Sequence, residues 1–483
     1  MKNIIILCLL LTLVLLASII PASTETINGS TLYPIRENGI WGYMNRQGET
    51  VIEPQWDEAE LFEEGYATVS TCIGDHEEMV FIIDQEGRSI LDPAWEYLSG
   101  DVFIDPKTDL CGYFDRKNGF LQEPAYESLS PYGGTDAEFI IAARYSGTYE
   151  EAEQYTYESL LRYGAIRKSD GKIIVPLEYT GGDYGDIGSS EGYILLANDI
   201  HGRTSDTADG LEYHLFDKNG NEISFPDGIE PCSLPHEGVL TIRRKLDESE
   251  KILHPSGWGQ VFGLAKPDGT VIVEPCYDYV FEANDGMVCF YQDHRNGWMN
   301  LSGEVKVPPV CHLRSGGPLP QAFYENGYLV INDTDTQRCI LFDRNGRELY
   351  SVPTEENGMI RNISWVMSNQ CFWLSITMNG TTRYQLMKIE DGCVVQVTGP
   401  DFERIGYSCS PESVLWSNET ELSDEAIPAG IGQKCGFIDS DGAVIIPFEY
   451  DAVMYFYHGL ALVEKDGKLM YIDHSGAVVW EER

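Results

Sequence analysis

Basic residues are scarce in this sequence of 483 residues, which contains 33 Lys and Arg against 77 Asp and Glu and has a formal net charge of −44. Binding to a nucleic-acid backbone needs a basic surface, so this charge excludes that class of protein. It also argues against adhesion to anionic lipid. The strong negative field that the chain carries attracts cations or basic partners.

Motifs for metal, redox or hydrolytic chemistry are equally scarce. The 12 cysteines are spread thinly and none forms Cys-x-x-Cys, so a zinc ribbon, a thioredoxin-type site and a dense disulfide framework are not indicated. The 9 histidines are scattered and none forms His-Glu-x-x-His. The sequence therefore predicts no catalytic, cofactor-binding or metal-binding residue, and we expect a protein that is not an enzyme.

One short match to a hydrolase motif occurs at Gly188-Ser189-Ser190-Glu191-Gly192. A nucleophile elbow requires a sharp turn from a strand into a helix. Here a Gly- and Asp-rich loop precedes Ser190, and Gly192-Tyr193-Ile194-Leu195-Leu196 follows it as a strand. This context argues against a catalytic serine.

The segment Asp217-Lys218-Asn219-Gly220-Asn221-Glu222 places oxygen side chains at alternate positions. Asp217, Asn219 and Asn221 would be a weak candidate for calcium, which takes six to eight hard oxygen ligands. A glutamate at the closing position of a twelve-residue calcium loop is missing, since Gly228 stands there. The competing interpretation is a tight turn, in which the aspartate caps backbone amides and Asn-Gly supplies left-handed residues.

The amino-terminal segment, residues 1–24, is typical of an export signal. Lys2 precedes an apolar run from Ile4 to Ile20, and small residues follow at 21–24. Ile20 leaves an uncleaved membrane anchor open as an alternative, which would be the one membrane attachment that the sequence indicates. No second apolar run of that length follows, so we expect a secreted or surface-associated protein.

An internal repeat organises the rest of the chain. Its clearest copy is 435–463, where Gly436-Phe437-Ile438, a polar turn ending at Gly442, Val444-Ile445-Ile446, a proline and a third strand from Gly459 follow one another. Turn glycines recur along the chain at 48, 87, 119, 171, 220, 269, 303, 346, 392, 442 and 476. A repeat with this spacing predicts a stack of supersecondary units of three to four short strands.

The distance from turn glycine to aromatic residue is eight in five copies, which are Gly48–Trp56, Gly87–Trp95, Gly171–Tyr179, Gly269–Tyr277 and Gly442–Tyr450. Strand side chains alternate between faces, so an even offset places the aromatic side chain on a set face of its sheet. We expect these aromatic side chains to pack in the core. Cys111 and Cys435, which precede the next glycine of the pattern, are expected to be small buried residues.

Departures from the repeat indicate insertions. Residues 148–164 open with a capping-box pattern and predict one helix. Residues 351–433 show the repeat only faintly. Loops on a repeat scaffold usually carry specificity, and 180–190 and 200–212 are the first candidates for a binding surface.

At these repeats the chain resembles the WG-repeat family, which takes its name from the pair seen here as Trp41-Gly42. The best matches are 39–69, 263–288 and 434–463. Most copies lack the tryptophan, as at Gly112-Tyr113 and Gly436-Phe437. The resemblance implies a bacterial all-β repeat protein that acts as an interaction scaffold. Antiparallel meander units suit a propeller-like array, with an open β-solenoid as the alternative.

These observations together predict an exported, non-enzymatic scaffold that binds another protein at the cell surface. The alternative is a module that binds carbohydrate or cell wall through exposed Tyr and Trp side chains. Burial of Trp41, Trp56 and Trp95 would distinguish the two, because a sugar platform must be exposed.

Overall fold

The computed structural model describes residues 31–483 apart from 75–76, 131–137, 147–159, 181–186, 200–210, 254–258, 312–323, 365, 368, 398 and 410–425. Within this part of the chain, 42 strands form eleven small antiparallel sheets, each built from strands that follow one another in the sequence. We number these sheets as blades 1 to 11 in chain order. The predicted all-β architecture of meander units is confirmed.

The strand bounds are as follows. Blade 1 has β1 (Tyr33–Glu37), β2 (Ile40–Met44) and β3 (Thr50–Trp56); blade 2 has β4 (Glu58–Ala59), β5 (Tyr66–Gly74) and β6 (Glu77–Asp84); blade 3 has β7 (Glu96–Ser99), β8 (Val102–Asp105), β9 (Leu110–Asp115) and β10 (Phe120–Tyr126). Blade 4 has β11 (Ser128–Ser130), β12 (Phe139–Tyr145), β13 (Leu161–Arg167) and β14 (Ile173–Tyr179); blade 5 has β15 (Gly188–Ser190), β16 (Tyr193–Asp199) and β17 (Leu211–Phe216); blade 6 has β18 (Glu230–Pro231), β19 (Leu240–Lys245), β20 (Gln260–Ala265) and β21 (Val271–Tyr277).

The second half of the chain continues in the same way. Blade 7 has β22 (Tyr279–Asn284), β23 (Met287–Gln292), β24 (Arg295–Asn300) and β25 (Val305–Cys311); blade 8 has β26 (Tyr324–Glu325), β27 (Tyr328–Asp333), β28 (Arg338–Asp343) and β29 (Glu348–Pro353); blade 9 has β30 (Glu355–Glu356), β31 (Met359–Ile363), β32 (Cys371–Met378), β33 (Thr381–Glu390) and β34 (Cys393–Gln396). Blade 10 has β35 (Arg404–Ile405), β36 (Ile427–Ile431), β37 (Lys434–Ile438) and β38 (Val444–Tyr450); blade 11 has β39 (Ala452–Tyr457), β40 (Leu460–Lys465), β41 (Lys468–Asp473) and β42 (Val478–Glu481).

Helix is confined to two short elements in the described residues, α1 (Glu248–Leu253) and the 3-10 helix η1 (Gly406–Cys409). None of the described helices is long and apolar enough to cross a membrane. The helix predicted at 148–164 lies mostly outside the described residues. Its last residues, from Leu161, belong instead to strand β13, because they pair along β12 as the third strand of blade 4.

The repeated sequence produces one repeated strand register. Trp41 pairs with Trp56 in blade 1, Phe262 with Tyr277 in blade 6, and Cys435 with Tyr450 in blade 10. In each case the register shifts before the next pair, so the last strand of the blade carries a bulge at its proline. The predicted constant position of the aromatic residue therefore has a structural cause.

The bulge also explains the glycine of the motif. A Cβ atom added to Gly436 would lie 2.5 Å from the carbonyl oxygen of Ile446 and 2.6 Å from that of Pro447. The same closeness to the bulged strand occurs at the other copies, which are Gly42, Gly112, Gly164, Gly263 and Gly297. Glycine is needed here because two backbones meet with no room for a side chain.

The blades close into a ring. One hydrophobic cluster contains Tyr33 and Trp41 from blade 1 together with Leu460, Tyr471 and Trp480 from blade 11. Direct bonds cross the same boundary, since the Tyr33 hydroxyl donates to the carbonyl oxygen of His458 (3.0 Å) and the Tyr471 hydroxyl donates to that of Pro34 (3.0 Å). We call this boundary the seam. Closure supports the propeller-like ring over the open solenoid.

Aromatic and small residues of the repeat pack largely as expected. Trp56 and Tyr450 are buried, while Trp95, Tyr179 and Tyr277 are half-buried. Trp95 stacks on Phe103 with 4.7 Å between ring centroids. Both predicted small filler residues, Cys111 and Cys435, are buried as well.

Candidate interaction face

The turns of each blade lie on two faces of the ring. Arg116, in the turn between the third and fourth strands of blade 3, donates to Asp101, in the turn between its first and second strands, with 2.8 Å between Nη2 and Oδ1. These two kinds of turn therefore share a face, which we call the turn face. Carboxylates tie neighbouring blades together here: Glu191 accepts from the amide of Gly238 (2.9 Å), and Glu237 accepts from that of Gly286 (2.6 Å).

The opposite face carries the turns between second and third strands and the connections between blades. Asp451, in the connection from blade 10 to blade 11, accepts a hydrogen bond from the amide of Asp466 in the next such turn (2.7 Å). The same bond, between residues 15 positions apart, joins Asp57 to Cys72 (2.9 Å) and Asp278 to Asp293 (2.9 Å). We call this surface the insertion face.

Four departures from the repeat are attached to the insertion face on three consecutive blades. Strands β12 and β13 flank one, at 146–160; strands β16 and β17 flank another, at 200–210; and strands β19 and β20 flank a third, at 246–259. Residues 180–187 connect blade 4 to blade 5 on the same face. The two loops nominated from the sequence thus belong to one larger group of segments, which we call the blade 4–6 insertions.

The blade 4–6 insertions are acidic and rich in aromatic residues. Together they contain eleven Asp and Glu against two Lys and Arg, along with Tyr149, Tyr155, Tyr157, Tyr184 and Trp258. Negative charge of this density attracts a basic partner electrostatically, and tyrosine and tryptophan are enriched at interfaces between proteins.

The described ends of these insertions are held firmly by the blades. The amide of Ser146 donates to the carbonyl oxygen of Leu160 (3.0 Å), and the amide of Leu246 donates to that of Gly259 (2.9 Å). In blade 5, Asp199 pairs with Leu211 at the end of the strand ladder. Each of these three segments therefore begins and ends at a closed pair of strands.

Arg243 anchors the carboxyl-terminal end of the blade 5 insertion. It lies on β19 of blade 6 with 2% of its surface exposed, and its Nη2 donates to the carbonyl oxygen of Leu211 at 2.7 Å. Its guanidinium also forms two hydrogen bonds to Glu230 (3.1 and 3.0 Å) and lies over the ring of Tyr213. One buried cation thus fixes the position at which residues 200–210 rejoin the ring.

A capping box begins α1 in the blade 6 insertion. Asp247 Oδ1 accepts from the amide of Glu250 (2.8 Å), and Glu250 Oε2 accepts from the amide of Asp247 (2.9 Å). Hydrogen bonds from the Ser249 hydroxyl and from the amides of Glu250 and Ser249 lower the pKa of Asp247. A hydrogen bond from Arg244 lowers that of Glu250, so both carboxylates stay charged on this face.

The candidate elbow serine does not sit on an elbow. Ser190 ends strand β15, and the turn at Glu191-Gly192 leads directly into strand β16. A strand therefore follows the serine where the motif requires a helix.

His214 is held between two neighbouring polar side chains of blade 5. Its Nδ1 lies 2.6 Å from Glu222 Oε1 and its Nε2 lies 3.2 Å from Asn198 Nδ2. Both ring nitrogens are thus engaged by neighbouring side chains of blade 5. The Tyr179 ring of blade 4 packs on the imidazole with 5.4 Å between ring centroids.

The candidate calcium loop, with Asp217, Asn219 and Asn221, forms a capped turn. Asp217 Oδ1 accepts from the amides of Asn219 (2.8 Å) and Asn221 (2.9 Å), and the Asn221 side chain donates to Oδ2 (2.9 Å). Gly220 closes the turn at φ +82°. The same pair of amide bonds, to residues two and four positions on, is made by Asn45, Asp84, Asn300, Asp343, Asp439 and Asp473.

That recurrence supports the turn interpretation over the calcium one, because four of the six other turns form without an oxygen side chain at the position of Asn221. Those positions hold Arg88, Arg347, Ala443 and Ala477. Across the described residues, no group of three or more His, Cys, Asp or Glu side chains is arranged to hold a metal ion.

Tryptophan is poorly available as a sugar platform in the described part of the chain. Trp41 and Trp56 are each 7% exposed, and Trp95 is covered on one side by Phe103. Trp298, Trp373 and Trp480 are buried too. Burial therefore argues against Trp41 and Trp56 as sugar-stacking side chains.

Comparison with known families agrees with the repeat. The family model for the WG containing repeat matches residues 41–71 and 436–468. The predicted WG repeats are therefore confirmed in the blades on either side of the seam, and the shared register of blade 6 extends the same geometry to the middle of the chain. No curated protein matches the sequence.

The solved structures that match this chain are distant in sequence. A structure described as the eukaryotic initiation factor is 11% identical, with 94% of this chain and 95% of that chain covered and a TM-score of 0.40. One of two prolyl endopeptidases is 10% identical, with 72% and 48% covered and a TM-score of 0.30, so this chain spans about half of its length. A chain of a nidogen/laminin complex is 13% identical, with 45% and 76% covered and a TM-score of 0.19.

Proposed function

From the WG containing repeats beside the seam, we propose that this chain is an exported, non-enzymatic scaffold that binds a basic protein at the cell surface through its insertion face. Export rests on the signal-like segment 1–24, which lies outside the described residues. The observation that carries the proposed binding role is the attachment of four insertions to one face of three consecutive blades.

The ring is suited to this role because its blades repeat one framework, while the insertions differ from one another in length and sequence. The strands, capped turns and carboxylate links repeat from blade to blade and leave little freedom of movement. Three of the insertions begin and end at a paired set of strands, so their length and sequence can change without disturbing that framework. Repeat scaffolds bind macromolecules in this way, over an extended surface.

Charge selects the class of partner. The blade 4–6 insertions carry a large excess of carboxylates, and the whole chain has a net charge of −44. A basic protein would be steered toward this face, whereas an anionic polymer would be repelled. Attraction between exposed charges is screened by salt, so the association rate should fall as ionic strength rises.

The test is a pull-down with crosslinking and mass spectrometry, using residues 25–483 and the native cell-surface fraction. We expect a dominant basic protein crosslinked to the blade 4–6 insertions. A matched variant replaces 200–210 by Asp-Gly, the two residues that join the paired Lys465 and Lys468 in blade 11. It should keep the ring and lose capture.

The control carries Glu49→Gln and Glu86→Gln, which remove exposed carboxylates beside the capped turns at Asn45 and Asp84, outside the blade 4–6 insertions. It should capture the partner as the unmodified protein does. Retention on cell-wall polysaccharide with no protein captured would contradict the proposal and favour the carbohydrate alternative, as would equal loss in both variants.

A further inference from the structure

Two buried cysteines meet inside blade 10. Cys409 ends η1, which follows the first strand of the blade, and Cys435 lies on its third strand, β37. Both side chains are fully buried in one cluster with Phe437 and Phe456. The Cys409 thiol is hydrogen bonded to the sulfur of Cys435, so the two sulfur atoms face each other.

The surroundings hold this pair in place. A Cβ atom added to Gly430 would lie 3.1 Å from Cys435 Sγ, which shows how closely β36 packs on the sulfur. The segment is also fastened to the next blade, because Arg404 Nη1 donates to the carbonyl oxygen of Asp451 (3.0 Å). A disulfide bond would bring the two sulfur atoms to about 2.0 Å.

We propose that Cys409 and Cys435 form a disulfide bond that fastens η1, which follows the first strand of blade 10, to the third strand of the same blade. It would fix η1 at the boundary between blades 10 and 11, beside the seam.

The chemistry of the pair differs from that of other buried thiols. Burial raises the pKa of Cys339 to about 11, which leaves that thiol unreactive. In Cys435 the hydrogen bond from Cys409 lowers the thiol pKa, with a further lowering by the Arg404 guanidinium, against the raising effect of burial. A thiol that ionises more readily attacks a disulfide faster.

The reaction needs an oxidant of the disulfide class, such as oxidised glutathione. One cysteine thiolate attacks it, releasing one glutathione thiolate and leaving a mixed disulfide. The second cysteine then attacks that mixed disulfide, forms the Cys409–Cys435 bond and releases the other glutathione. The two thiols lose two protons and two electrons, and the oxidant gains both. Because the folded pair is buried, this step belongs to folding in an oxidising compartment.

The inference rests on the proposed export only because export would place the protein in an oxidising compartment. The formation of the disulfide itself can be tested in vitro. Residues 25–483 are refolded with oxidised and reduced glutathione, alkylated in denaturant and digested with trypsin. Cleavage at Arg404, Lys434 and Lys465 places Cys409 in peptide 405–434 and Cys435 in peptide 435–465. The expected product is these two peptides joined by a disulfide and separated by reductant.

Two variants make the result decisive. Cys435→Ser should abolish the linked peptides and leave Cys409 alkylated, while Cys339→Ser, at another fully buried thiol, should leave the link intact. Recovery of both peptides singly alkylated from folded, unmodified protein would overturn the proposal. If the link forms in vitro and is absent from protein isolated from its own cells, export into an oxidising compartment fails and the disulfide chemistry stands.

Discussion

Arg36 and Glu482 stand 446 residues apart and form a forked salt bridge across the seam. Arg36 Nε lies 2.8 Å from Glu482 Oε1 and its Nη2 lies 3.0 Å from Oε2. Their side chains are 21% and 12% exposed, so the pair is well shielded. Glu482 also accepts from the amide of Leu469 (3.0 Å), which joins the bridge to the strand ladder of blade 11. The first and last blades are thus held by charge as well as by apolar packing.

Glu482→Gln should weaken the seam. It removes the charge from hydrogen bonds that are each worth about 1.5–3 kcal/mol when one partner is ionised, so we expect the free energy of unfolding to fall by about 1–3 kcal/mol. Urea unfolding followed by circular dichroism measures this. Arg88→Ala is the control, because Arg88 is 72% exposed in its pair with Asp84, and it should change stability by less than about 0.5 kcal/mol.

Acid should remove the contribution of the same bridge. Burial tends to raise the pKa of Glu482, but hydrogen bonds from Arg36 and the Leu469 amide lower it overall. A carboxyl group with a lowered folded-state pKa stabilises the protein above its ordinary pKa of about 4.3 and loses that effect as pH falls through the folded value. The difference between the unmodified protein and Glu482→Gln should therefore shrink from pH 7 to pH 3. A constant difference would argue against an ionic bridge.

Alkali should open the seam through its tyrosines. Burial raises the pKa of Tyr33 to about 12, with opposing influence from Arg46 and a smaller raising effect from Tyr457. A raised pKa stabilises the folded state fully below the unfolded value of about 10, and this stability is lost between pH 10 and about pH 12. Tyr33→Phe should lose stability less steeply over that interval. Buried Tyr43 and Tyr471, whose pKa values are also raised, should leave a residual slope.

Local chemistry was predictable from the sequence, as the turn at Asp217 shows. A side-chain oxygen that bonds amides two and four residues away needs no information from elsewhere in the chain. The strand at Ala452–Tyr457 was missed for the opposite reason. No strand was predicted between the proline and the strand from Gly459, yet Val453 pairs with Val463 to give the first two strands of blade 11. The sequence repeat is therefore out of phase with the blades, and each copy spans parts of two.

Contacts between residues far apart in the chain could not be predicted from the sequence. Nothing near Tyr33 indicates that its hydroxyl meets the backbone of His458, and ring closure was consequently left open. One signal was present and unused: Asp57, Asp278 and Asp451 each stand 15 residues before the amide that they cap on the insertion face. That regularity would have assigned the connections between blades and the middle turns to one face. It would also have grouped 180–190 with 200–212.

Gly436→Ala should be strongly destabilising although alanine is the smallest addition. The new methyl group would lie within 2.6 Å of the carbonyl oxygens of Ile446 and Pro447, and backbone atoms cannot yield as a flexible side chain does. Overpacking of this kind costs about 1–3 kcal/mol or more. Gly399→Ala is the control, since a Cβ there meets nothing within 4 Å, and it should be close to neutral. Thermal unfolding of both variants measures the contrast, and similar losses would argue against the proposed bulge contact.

Arg243 should stabilise the carboxyl-terminal end of the blade 5 insertion. Arg243→Lys keeps a positive charge but cannot make the hydrogen bonds to Glu230 and Leu211 together, because lysine lacks the planar fork. We expect faster hydrogen exchange in the peptide that covers 211–216 and a loss of about 1–3 kcal/mol in stability, as polar groups are left without a partner.

Arg244→Ala is a matched control, because Arg244 is 38% exposed and pairs with Glu250 at the surface. If both variants exchange alike at 211–216, Arg243 does not anchor the insertion. If Arg243→Lys alone loosens this segment and also lowers capture of the basic partner, the geometry at Leu211 matters to binding as well as to folding.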